Sequence, residues 1–126
     1  HIPIDRDLVV CDKIDFDVAR NATLRLLESE NRPDAILAFN DIITYAAFDA
    51  IKAKGLRIPE DVAIIGFTDG DTAAFVTPRL TAIMDQAHVQ GTKACELLMR
   101  SIKGDDKIYK EVVPMILKIR ESSEKN

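Results

Sequence analysis

Short apolar runs alternate with longer stretches of helical periodicity, and this alternation constrains the fold more than any other feature of the chain. The run "AILAF" (35–39) is followed by Ile43, Ala46, Ala47, Ala50 and Ile51 at helical spacing, and then by "VAIIGF" within 62–67. Strand, amphipathic helix and strand in that order mark a βαβ unit, in which neighbouring parallel strands are joined by a crossover helix. Five consecutive apolar residues at 35–39 fit a strand buried on both faces. The expected fold class is therefore α/β, a parallel sheet with flanking helices.

Local chemistry places the remaining boundaries. Leu8 to Cys11 is a weak strand candidate. Asp15 is positioned to cap a helix whose apolar face carries Val18, Ala19, Ala22, Leu26 and Leu27, and Pro33 closes the segment that follows. Lys52 and Lys54 suit the negative end of the next helix, and Gly55 can supply its left-handed C-terminal residue. Gly66, inside a strand run, marks a close backbone approach or unusual torsions. "TDGDTAAFVTPR" is too irregular to assign. "LTAIMD" reads as a short strand, and Gly91, Ala94, Cys95, Leu98 and Ile102 share one face of a helix from Gln86 to Lys103, ended by Gly104. The last run, "YKEVVPMILKIRES", holds Pro114, which favours an edge or a bulge, and "ESSEKN" reads as a frayed tail.

Composition removes several function classes. A chain of 126 residues, 47% apolar, suits one globular unit, and 21 acidic against 17 basic residues without a basic cluster argues against binding a phosphate backbone. Cys11 and Cys95 form no CxxC pair or His/Cys cluster, so neither a metal site nor a disulfide framework is expected. No run approaches the length of a membrane span. His88 has no evident nucleophile or carboxylate partner, and the chain lacks a GxSxG elbow, a GxxxxGK[ST] loop and a GxGxxG fingerprint. Neither an enzyme nor a cofactor is indicated.

Chemistry is expected where parallel strands end, because loops and helix N-termini gather there. Asn40 and Asp41 follow the first long strand run, and Thr68 and Asp69 follow the second. Each pair has a purely local use: Asn40 as a helix cap, Asp41 in the first helical turn, and Asp69-Gly70 as a turn. Their common placement at one sheet edge adds a ligand-binding possibility, with amide, carboxylate and hydroxyl groups facing a hydroxyl-rich molecule.

"PDAILAFND" (33–41), "GLRIPEDVAIIGFTD" (55–69) and "TPRLTAIMDQ" (77–86), followed by "GTKACELLMRSIKG", together resemble the LacI/GalR family of bacterial transcriptional regulators. The resemblance covers essentially the whole chain and lies in the later part of their effector-binding region. It implies a parallel-sheet sandwich with flanking helices, the second lobe of a type I periplasmic-binding-protein-like fold, incomplete here. Residues 1–85 and 105–126 would belong mostly to that lobe, and the helix within 86–104 would pack on the first lobe.

It also implies a cytoplasmic homodimer that senses a sugar or nucleobase between its lobes and controls operator binding through an N-terminal helix-turn-helix domain absent from this chain. The family's Asn-Asp pair matches Asn40 and Asp41, with Asn40 as the expected ligand contact. Its two acids after the Gly-aromatic pair match Thr68 and Asp69, so the first carboxylate is a hydroxyl here. The family's stacking aromatic falls at Ile14, with Phe16 as a substitute two residues on. A fragment of this kind is also expected to exchange elements in a dimer or to derive from a longer chain. A solute-binding protein for uptake shares the fold, and a small doubly wound enzyme would need catalytic motifs the sequence lacks.

Overall fold

A computed structural model describes residues 3–68 and 71–124, with the side chain of residue 71 also outside the description. Helix α1 (Phe16–Glu28) begins at Asp15, whose carboxylate accepts the Val18 N–H at 3.0 Å, the expected cap. Strand β1 (Ala35–Ala38) leads into α2 (Asp41–Ala53), and β2 (Ala63–Phe67) follows. A 3-10 turn over Asp71–Ala74 precedes β3 (Thr81–Met84), α3 (Ala87–Ile102) and the short β4 (Ile116–Lys118). The four strands lie in the order β1-β2-β3-β4; the first three are parallel and β4 runs antiparallel at the edge. The edge position of β4, just after Pro114, agrees with its sequence.

Helix α2 ends in a Schellman arrangement. Gly55, at φ 68°, donates to the Lys52 carbonyl at 2.9 Å, and Leu56 donates to that of Ile51 at 3.2 Å. The helix then lies on one face of the sheet, where Ile64, Leu80, Val62 and Ile51 form the fully buried centre, joined by Leu27 of α1. Its closest approach is to Gly66, where a Cβ would sit 2.5 Å from Thr44 Oγ1. A side chain at that position would force the helix away, so glycine is required by packing.

The second face of the sheet is far more open. Because β1 is an edge strand with helices over one side only, Leu37 and Phe39 are 66% and 72% exposed, against the expectation of a strand buried on both faces. In the observed register Leu37 neighbours Ile65, and Phe67 neighbours Ile83, placing these apolar residues on the same open side. Helix α3 has no buried residue among those described.

Two further expectations are corrected. Leu8 to Cys11 forms no ladder: Arg6–Leu8 is a 3-10 turn and Val9 and Val10 stay half exposed, although Leu8 and Val10 line a hollow beside the free edge of β1. The stretch 121–123 is not frayed. Ser122 is fully buried; its hydroxyl donates to the Ile64 carbonyl at 2.6 Å and accepts the Thr81 N–H at 2.8 Å. This turn ties the starts of β2 and β3 together.

Candidate functional site

The carboxyl ends of β1, β2 and β3 open on one groove. At the end of β1, Asn40 is extended and caps α2: its Oδ1 accepts the Ile43 N–H at 2.9 Å, while its backbone oxygen accepts Thr44 Oγ1 at 2.6 Å. The capping oxygen is thus engaged, and the amide nitrogen of Asn40 donates to no group among the described residues. Asp41 opens the helix, and its Oδ1 is buried without a hydrogen-bond partner among them. A carboxylate in a first helical turn is favoured by the helix dipole, which allows this oxygen to remain near the site.

Thr68 follows β2 and is 4% exposed, with its N–H donating to the Ile83 carbonyl at 3.2 Å. That bond continues the β2–β3 ladder and holds Thr68 beside the groove. Behind it, the Tyr45 hydroxyl meets Thr72 Oγ1 at 2.6 Å and anchors the 3-10 turn to α2. Asp85 follows β3, and the Gln86 side chain next to it donates to the Pro114 carbonyl at 2.8 Å, tying the α3 approach to the final segment.

Asn40, Asp41 and Thr68 come together in a cavity of about 410 Å³ that is also lined by Phe39, Phe67 and Asp85. The rings of Phe39 and Phe67 lie 6.4 Å apart at a 44° tilt. No Lys, Arg or His is among the described residues of this lining. The lining combines apolar rings with polar groups, a combination suited to a small molecule with an apolar face and hydrogen-bonding edges. A hollow of about 500 Å³ elsewhere is lined by α3 alone, so it lacks walls from different elements.

The expected residues fare differently. Asp69 lies outside the described residues. Ile14 and Phe16, 58% and 43% exposed, are not in the groove lining, because they precede and begin α1, which packs along α2 rather than at the strand ends. Asp85, Phe39 and Phe67 were not singled out from sequence. Asp85 obeys the rule that selected Asn40 and Thr68, being a polar residue immediately after a parallel strand, and could have been found by it.

A model of the periplasmic binding protein-like domain matches residues 4–123. The chain is 32% identical over 105 residues to the HTH-type transcriptional repressor PurR of Vibrio atlanticus (strain LGP32), covering 83% of this chain and 31% of that repressor. A LacI-family regulatory protein from Chloroflexus aggregans has a similar structure, with a TM-score of 0.88 and 32% identity over 98% of this chain and 45% of that one. The transcriptional regulator CelR in complex with cellobiose gives a TM-score of 0.86 at 29% identity, over 97% and 38% respectively. These relatives are regulators rather than enzymes, and the chain spans about a third of the length of the curated relatives it matches.

Proposed function

The chain belongs to the periplasmic binding protein-like family, and from that membership we propose that it is the effector-sensing part of a LacI-type transcriptional regulator. The carrying observation is the convergence of Asn40, Asp41 and Thr68 on one groove at the strand ends. We assign the effector to this groove as a small donor-rich molecule of the sugar or nucleobase kind. Asn40 contributes its amide nitrogen, Asp41 its buried oxygen and Thr68 its hydroxyl, and Asp69, next in sequence after Thr68, is proposed as a further contact. Ile14 and Phe16 carry no weight here, since neither lines the groove.

Regulation follows from differential affinity: an effector that binds one lobe arrangement more tightly shifts the population toward it. The regulator is proposed to act as a cytoplasmic homodimer whose operator contacts belong to a helix-turn-helix domain outside this chain. No helix among the described residues is long and apolar enough to cross a membrane. Calorimetric titration with a saccharide and nucleobase panel tests the assignment. One compound is expected to bind and to lose affinity on Asn40→Ala; unchanged affinity in the variant would remove the site from this strand end.

A further inference from the structure

Phe39 is the one large apolar residue of the groove lining that combines high exposure, 72%, with an aromatic neighbour, the Phe67 ring 6.4 Å away. It stands between the end of β1 and Asn40, next to the residues proposed to hold the effector. The same wall contains the carboxylates Asp41 and Asp85 and, among the described residues, no cationic side chain. We infer that Phe39 is the stacking platform of this site and that the ligand edge facing this wall is uncharged or cationic, with N–H or O–H donors and no phosphate or carboxylate.

The physical grounds are two. An aromatic face attracts flat apolar surfaces such as the C–H face of a pyranose or a nucleobase ring, and adds to the attraction when the ligand is positive. Two carboxylates within one lining repel an anion and accept hydrogen bonds from donors at the ligand edge. Phe39 would then supply the aromatic contact that the family resemblance placed at Ile14 or Phe16. A saccharide and a nucleobase share this chemistry, and the test separates them.

The inference rests on the proposed effector site and is tested by titrating the full chain with neutral saccharides, amino sugars, sugar phosphates and nucleobases. Binding of a neutral or amino sugar, or of a nucleobase, is expected, and identifies which source the ligand has. Phe39→Ala should weaken it about tenfold and Phe39→Tyr should retain it within about threefold. Asp85→Asn should narrow the discrimination against the phosphorylated counterpart. Because Phe39 is exposed, its truncation leaves the core intact, and circular dichroism of the variant confirms the fold.

Affinity that falls with Asn40→Ala but not with Phe39→Ala would overturn the stacking role while leaving the effector site in place. Preferential binding of a sugar phosphate would overturn the ligand class. Binding of none of the four groups would remove the effector site and the inference together.

Discussion

Gly66 and Thr44 set the spacing between sheet and helix, and with it the position of the groove. Thr44 Oγ1 returns a hydrogen bond to the Asn40 carbonyl at 2.6 Å, so the residue that crowds Gly66 also holds the start of α2. Gly66→Ala inserts a methyl group where no space exists, and a loss of about 1–3 kcal/mol is expected by chemical denaturation; a change below about 0.5 kcal/mol, the range of an innocuous surface change, would contradict the close packing. Asn40 separates into two roles by substitution. Asn40→Ala should cost about 1 kcal/mol through the lost cap, whereas Asn40→Asp should keep the cap while changing ligand affinity.

Acid sensitivity belongs to the same scale. Arg57 donates to Asp61 from its guanidinium at 2.8 and 2.9 Å and from its backbone N–H at 2.8 Å, holding that carboxyl well below its ordinary value of 3.8. The Arg79 backbone and guanidinium do the same for Glu121. A depressed carboxyl pKa contributes stability that is complete above the unfolded value and lost as pH falls through the folded one. The urea midpoint should therefore decline below pH about 4, and Asp61→Asn should flatten that decline. An unaltered slope in the variant would show that the pair does not couple to folding.

Among the elements, α2 and α3 contrast most. Ala46, Ala50 and Ile51 of α2 are fully buried, whereas α3 exposes Leu98, Met99 and Ile102. Hydrogen exchange should find α2 amides among the slowest and α3 amides among the fastest helical ones, because local opening of α3 uncovers little apolar surface; equal protection would contradict the isolated packing of α3. The turn at Ser122 acts across elements. Ser122→Ala strips a partner from the Ile64 carbonyl and the Thr81 N–H at a fully buried position, so a loss of about 1–3 kcal/mol is expected in thermal or denaturant unfolding.

Across the whole molecule, the βαβ order, the Asp15 and Asn40 caps, the Gly55 stop and the edge character near Pro114 were legible because each is a local rule of hydrogen bonding or torsion. The open second face was not, since an apolar run such as "AILAF" carries no record of which of its sides is covered. Ser122 escaped notice for a related reason: a serine in this position looks solvated until strands 58 and 41 residues away are seen to need its hydroxyl. The groove was half legible. Asn40, Asp41 and Thr68 follow from the strand-end rule, whereas the Phe39–Phe67 pair emerges only from the register that aligns β1 with β2.

The central claim, that an effector sits at the carboxyl ends of β1, β2 and β3, is tested most directly by mapping backbone amide chemical shifts during titration with a binding saccharide or nucleobase. The largest changes are predicted at Phe39, Asn40, Asp41, Thr68 and Asp85, with little change along α3. Perturbations centred on α3, or on Ile14 and Phe16 with the strand ends silent, would contradict it.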